Sequence, residues 1–338
     1  MGIPRALLYY KYGILWQNFF AELRVKTILS PPSSREILAD GVKYSMDESC
    51  LSAKIYTGHI AYLIGKCDYI LIPRVETLQK GRADTACVKF FALYDIISNT
   101  FRAELAASGT KLLDYNVHVN RGLTEKKAFL SLGKKLGFAR PKSADAYLVA
   151  RGAQDYQDSK AAITAEALAY SHTHAPKILL AGHGYNVYDP MIGSPVVNYL
   201  KKLGATVILA NEFNAGTCAA AANTLSKTLY WTYNKELAGA VALYKDFADG
   251  IIFLAAFPCG TDSLVNELLW RKLAGIPKLN IVLDELQSES GLLTRLESFI
   301  DMIEGKRLLK NSPLWRGGGG ADGVGRRVDA LADGVFEK

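Results

Sequence analysis

The chain has 338 residues, 49% hydrophobic and 22% charged, with 40 Lys and Arg against 33 Asp and Glu for a formal net charge of +7. That composition is ordinary for a soluble globular protein, the length allows two domains, and the scattered basic charge is too thin for a nucleic-acid footprint. No apolar run reaches the roughly 18–20 residues of a membrane span, and "MGIPRALLYYKYG" lacks signal-peptide organisation, so a cytoplasmic location is expected.

"GIPRALLYY" reads as a first strand and "ILWQNFFAEL" as an amphipathic helix. "VKTILSP" is a second strand, and "SSREILADGV" a helix with Ser33 or Ser34 as N-cap. "CDYILIP" is a short continuous apolar strand of the kind buried on both faces of a parallel sheet. The helix "VKFFALYDIISNTF", the strand "KLLDYNV" and the helix "LTEKKAFLSLGKKLG", closed by Gly137, follow. The basic stretch from Arg121 to Lys142 fits a solvated helix face, although phosphate or an acidic partner could also be attracted to it.

From Ser143 to Tyr170 the spacing is helical with no strand signal, which predicts a bridge. A second set begins at "PKILLAGHG" and runs through "SPVVNYLKKLG", "TVILA", "ELAGAVALYKDF", "GIIFLAAF", "SLVNELLWRKLAG", "KLNIVLD" and "GLLTRLESFIDMI", alternating strand and helix. Such alternation predicts an α/β protein with two flavodoxin-like (Rossmann-like) domains, parallel sheets and helices on both faces. The expected division is 1–142 for an N-terminal α/β domain, 143–175 for a helical bridge, 176–305 for a C-terminal α/β domain and 306–338 for a flexible Gly-rich tail. "KIYTGHIAYLIGKCDYILIPR" has a rough counterpart in "ELAGAVALYKDFADGIIFLAA", a hint of duplication.

Five cysteines, an odd and sparse set, argue against a disulfide framework. Cys259 lies where the strand "GIIFLAAF" hands over to a helix, and Cys87 and Cys50 open the helical stretches "CVKFFALYDIIS" and "CLSAKIYTGHIAYLIG". A helix N-terminus favours the thiolate, the form that binds metal, and ligands of open α/β sheets gather at the carboxyl ends of the strands. Chance placement of three buried structural thiols is the competing reading. Cys67 and Cys218 read as structural, and His172 and His174 as part of a polar linker. Walker A, GxGxxG, HExxH and GxSxG patterns are absent.

Taken together, "GIPRALLYYKYG", "GVKYSMDESCLSAKIYTGH", "CDYILIPRV", "GHGYNVYDP", "FPCGTDSLVNELL" and "LDELQSESGLLTRLESFIDM" resemble the acyl-CoA dehydratase activase-related proteins. These belong with the 2-hydroxyglutaryl-CoA dehydratase D-component, benzoyl-CoA reductase subunits and double-cubane cluster proteins. The resemblance covers most of residues 2 to 304 and implies an iron–sulfur cluster between the two domains. Cys50 in "DESC", Cys87 in "TACVKF" and Cys259 in "PCGTDS" fall on the family's cysteine positions. Three thiolates imply a [4Fe–4S] cluster with one iron open, and disfavour a double cubane unless it bridges subunits. The resemblance also implies low-potential electrons from a separate activator ATPase, a reductive or dehydrating reaction, and a homo- or heterodimer; it implies neither nucleic acid nor membrane.

The chain departs from the family pattern at several places. Ser52, Val88 and Thr261 stand where proline often follows the cysteines, and "DELQSESG" carries Leu286 where histidine is usual, while Asp284, Glu285 and Glu289 remain. The missing imidazole bears on catalysis more than on cluster binding. His59 and His183 match family positions and are read as structural first; Tyr185, Asn186 and Asp189 are read as shaping a loop that enters a helix at Pro190. Rival readings are a non-catalytic electron-relay or binding module, and a zinc or cluster-free relative.

Overall fold

A computed structural model describes residues 1–80, 84–286 and 288–311. The chain runs β1 (Gly2–Ile3), α1 (Tyr9–Glu22), β2 (Ile28–Leu29), α2 (Arg35–Tyr44), α3 (Leu51–Leu63), β3 (Tyr69–Thr77), α4 (Val88–Thr100), α5 (Arg102–Ser108), β4 (Lys111–His118), α6 (Glu125–Lys135) and α7 (Arg140–Tyr170). It continues β5 (Lys177–Ala181), α8 (Gly184–Val187), α9 (Ser194–Lys202), β6 (Thr206–Leu209), α10 (Ala215–Ala221), α11 (Thr232–Tyr244), β7 (Gly250–Ala256), α12 (Gly260–Lys272), β8 (Lys278–Leu283) and α13 (Glu289–Asn311). The strands form two all-parallel four-stranded sheets of the same order, β2-β1-β3-β4 and β6-β5-β7-β8, with helices on both sides.

The sequence explains the layering. In β5, Leu179 and Leu180 are both fully buried but belong to different apolar clusters, as the two-residue period of a strand covered on both faces requires. One cluster is continuous from Ile3, Phe19 and Leu71 to Leu180, Leu254 and Phe299, so the two sheets share a core; the other packs α10, α11 and α12 on the far side of the second sheet. The 31-residue α7 bridges the sheets, and its buried Gln154 accepts a hydrogen bond from the Leu15 backbone of α1.

Three details differ from the sequence reading. β1 is only two residues long, because Pro4 ends its pairing and Leu7 takes a left-handed turn (φ 48°) before α1; Ala6, Leu7 and Leu8 are apolar for packing, not for a strand. Pro190 sits in a turn, and the helix begins at Ser194 with proline in its first turn. α13 continues to Asn311; the remainder of the Gly-rich tail lies outside the described residues.

The two halves match closely between their middle helices and strands. α3 and α11 each have 13 residues, and each is followed by five residues before a strand, so adding 181 to a residue of α3 or β3 gives its counterpart. Close helix packing recurs as well. A Cβ on Gly58 would lie 1.9 Å from the Ile37 carbonyl of α2, and one on the equivalent Gly239 would lie 1.6 Å from the Cys218 carbonyl of α10. Only glycine permits these approaches.

Candidate functional site: three thiols at an inter-domain seam

Cys50, Cys87 and Cys259 occupy the N-cap positions of α3, α4 and α12, and none of the three helices has a side-chain cap hydrogen bond. All three thiols are free and half-buried. Cys87 follows β3 and Cys259 follows β7, so these two are equivalent in the two halves; the counterpart of Cys50 is Trp231, the N-cap of α11.

The halves are sewn together around these residues by reciprocal contacts. The Leu51 N–H at the start of α3 donates to the Phe257 carbonyl, two residues before Cys259 (2.8 Å); the Thr232 N–H at the start of α11 donates to the Thr85 carbonyl, two residues before Cys87 (2.9 Å). Each bond uses an amide that a helix start would otherwise leave without a partner. The same symmetry relates two ion pairs, Lys54 of α3 with Glu285 (2.5 Å) and Lys235 of α11 with Asp84 (2.8 Å). Both lysines are buried, and each reaches a carboxylate of the other half. A cation removed from water needs such a partner.

Burial pushes the Cys259 thiol up to about 12, with the Asp262 carboxylate adding to the rise. Burial also raises Cys87, and the neighbouring Cys50 adds to it. At Cys87 and Cys259 burial disfavours the charged thiolate and so opposes the stabilisation that a helix start offers. Burial likewise raises the Tyr185 hydroxyl well above its usual value, with Asp262 and all three thiols contributing, so Tyr185 faces the same neighbourhood.

Behind the thiols, Asp262 is buried and its Oδ1 receives Asn234 Nδ2 and pairs with His183 Nε2, each at 2.8 Å. His183 stacks on Tyr185 (4.9 Å), and Phe90 of α4 meets that ring edge-on (5.7 Å). Ser52, on the first turn of α3, donates to Asn186 Oδ1 (2.5 Å). Three buried polar atoms here have no partner: Asp262 Oδ2, Asn186 Nδ2 and Thr232 Oγ1. Farther along α3, His59 Nε2 meets Ser33 Oγ (3.0 Å), and Ser33 donates to Asp189 Oδ2 (2.6 Å), which Tyr10 also reaches. His183, read as structural, ties the β5 end to α12, and Asp189 does more than shape a loop, because it accepts from Ser33 ahead of α2, which in turn meets His59 of α3. His183 and Tyr185 also line a cavity of about 780 Å³ bordered by Tyr10, Lys11, Gln154 and Glu236.

Cys218 is buried in the α10–α11 core, and Cys67 lies against Gly2; neither joins the seam. His172 and His174 are exposed. Among the described residues, no group of three or more His, Cys, Asp and Glu side chains stands in a metal-holding arrangement. Three soft thiols with orphaned donors at Asn186 and Thr232 suit a sulfide-bearing cluster in chemistry; what the chain alone does not form is a closed ligand set.

The lysine partners and the paired backbone bonds escaped sequence reasoning because they join residues far apart in the chain. The available signal was the constant offset of 181 between "CLSAK" and "WTYNK", which aligns Lys54 with Lys235.

Cys87 and Cys259, following β3 and β7, stand at the carboxyl edges of two parallel α/β units, the edge where open α/β sheets gather ligands. The model of the CoA enzyme activase uncharacterised domain (DUF2229) matches residues 1–212, most of the chain, and the protein belongs to that family. The match contains Cys50 and Cys87 and ends before Cys259. No curated protein matches the chain. No helix among the described residues is long and apolar enough to cross a membrane.

Proposed function

We propose that the protein is a cytoplasmic iron–sulfur protein of the 2-hydroxyacyl-CoA dehydratase superfamily, holding a [4Fe–4S]-type cluster through Cys50, Cys87 and Cys259. The observation that carries this reading is the placement of three helix-capping thiols, contributed by both halves, along a seam closed by the Leu51–Phe257 and Thr232–Thr85 backbone bonds. When bound, such a cluster supplies one-electron chemistry and, with three thiolates, an iron open to an oxygen ligand. The chain's own residues prepare the place. Asn186 Nδ2 and Thr232 Oγ1 offer hydrogen bonds, Asp262 is held by His183 and Asn234, and Tyr185, among the thiols' neighbours, also lines the cavity. Metal binding would deprotonate Cys87 and Cys259 and so overcome their raised pKa.

Electrons are proposed to come from an ATPase of the acyl-CoA dehydratase activase type, consistent with membership of the activase family. A docking face supports this. Met46, Val88, Tyr230, Phe257, Leu264 and Leu286 lie on the segments that carry or brace the three thiols, and each is more than half exposed. Exposed apolar side chains on these segments are what a surface covered by a partner would present. A second reading, a non-catalytic electron relay, is favoured by Leu286: it is 89% exposed and supplies no imidazole where the family carries one.

The test is anaerobic purification followed by iron and acid-labile sulfide analysis. About four irons per chain, lost in Cys50→Ala, Cys87→Ala and Cys259→Ala but kept in Cys67→Ala and Cys218→Ala, is the expected outcome. An iron-free protein after anaerobic reconstitution would overturn the reading. Conversion of a 2-hydroxyacyl-CoA to its enoyl-CoA by the reduced protein would separate an enzyme from a relay.

A further inference from the structure

The cavity of about 780 Å³ has a chemistry of its own, apart from the thiols. It lies beyond the carboxyl ends of the adjacent strands β5 and β6, with α1, α7 and α11 around it, and its volume is that of a small-molecule pocket. Tyr9, Tyr10, Tyr185, Tyr188 and Tyr233 border it. Carboxylates exceed cations there. Asp155, Asp158, Glu212 and Glu236 share the lining with Lys11, and Asp155 and Asp158 both draw on one guanidinium, that of Arg151. In a chain of net charge +7, this local excess of negative charge favours a cationic ligand.

Two parts of the lining repeat one arrangement. In the first, Lys11 Nζ pairs with Glu236 (2.7 Å) and lies 4.7 Å from the centre of the Tyr233 ring. In the second, Glu212 accepts from the Tyr188 hydroxyl (2.7 Å), which Asn211 Nδ2 holds in turn (2.9 Å). The Tyr10 ring lies 6.2 Å from that of Tyr188. Among the described residues no cation pairs with Glu212. One carboxylate–tyrosine pair thus holds a cation of the protein itself, and the other is positioned without one.

We propose that the cavity binds a small organic cation, a protonated amine whose charged head pairs with Glu212 beside the Tyr188 and Tyr10 rings. The carboxylate supplies charge-assisted hydrogen bonds and the ring faces attract the cation. Ile14, Phe213 and Leu237, also in the lining, leave apolar surface for the carbon chain. The phosphates of coenzyme A would find only Lys11, which Glu236 already holds. The site is independent of the iron–sulfur reading.

Ligand-observed NMR titration of the full chain with n-butylammonium, and separately with n-butanol at the same pH, tests the site. Butylammonium is expected to bind saturably, and butanol about tenfold more weakly or less well still. Glu212→Gln should weaken butylammonium by about the same factor. Tyr188→Phe, which keeps the ring but removes the hydroxyl that holds Glu212, should cost less. Glu297 accepts from Tyr199 on the exposed surface, the same pair outside the cavity, and Glu297→Gln should change nothing. Equal binding of ammonium and alcohol, or equal effects of Glu212→Gln and Glu297→Gln, would overturn the proposal. Displacement of butylammonium by coenzyme A would overturn the class of ligand. Should Glu212→Gln fail to fold, the wild-type comparison of ammonium with alcohol decides alone. Neither probe needs a cluster, so absence of butylammonium binding would overturn the cation site and leave the iron–sulfur reading standing.

Discussion

The two halves of the molecule share a strand order, a helix spacing and a set of reciprocal bonds, yet they have spent the same positions differently. Position 50 is a cysteine and its counterpart 231 a tryptophan; position 59 is a fully buried histidine and its counterpart 240 a fully buried alanine. What the halves retain in common is what holds them together: glycines at helix crossings and lysines reaching across the seam. Where they differ, Cys50 and His59 of the N-terminal half stand opposite Trp231 and Ala240. Symmetric scaffolding with asymmetric chemistry is the outcome expected when packing tolerates little change and a site needs only one copy of each group.

The shared features predict matched losses. Gly58→Ala and Gly239→Ala each force a methyl into a backbone carbonyl that no side-chain motion can clear. Each should cost about 3 kcal/mol or more, read as a lowered urea midpoint, and the two losses should be alike. A loss at one site only would show that the helix crossings are not equivalent. Next in size, His59 has no counterpart in the second half. Burial, helped by the nearby Arg5 cation, lowers its pKa from 6.5 to about 4. Below pH 6.5 the unfolded chain takes up a proton that the folded chain refuses until about pH 4, so stability is lost as pH falls through that window. The loss is on the order of 3 kcal/mol at its full extent. His59→Gln should flatten this part of the stability–pH curve, and an unchanged slope would mean that the imidazole is hydrated in solution.

The paired lysines come third. Lys54→Met and Lys235→Met each strip a partner from a carboxylate that keeps some contact with water, since Glu285 and Asp84 are 23% and 16% exposed. Each substitution should cost about 1–3 kcal/mol, and Glu285→Gln in the Lys54→Met background should recover part of it. Equal costs at the two lysines would support reciprocity, whereas a negligible cost at one would break it.

Much of this was legible in the sequence, and the physical reasons for what was not are specific. Buried parallel strands such as "YILIP" and "GIIFLAAF" carry continuous apolar runs, so β3 and β7 stand out, as do the helix starts at the three thiols. β1 misled because its apolar run serves a turn and a helix start. The small-residue run "GTCAAAA" gave no helical signal, since α10 exists to pass close to Gly239 and not to present an apolar stripe. The thiol environment was legible only in part: position at a helix start is readable from sequence, but the depth of burial that raises Cys87 and Cys259 depends on the other half of the chain.

The smallest effect concerns the one long element with no counterpart, α7, which lies between the sheets. Gly152 sits exposed in its middle, and a Cβ there would meet nothing within 4 Å. Gly152→Ala should therefore stabilise the helix by about 0.5–1 kcal/mol, through the lost freedom of the unfolded chain. How the gain appears is the informative part. Because one apolar cluster runs through both sheets and α7 packs on α1, the two halves should unfold together, and the gain should shift a single urea transition without changing its slope. If two transitions appear and only one moves, the seam is weaker than the sheets it joins, and the half that moves is the one to which the bridge belongs.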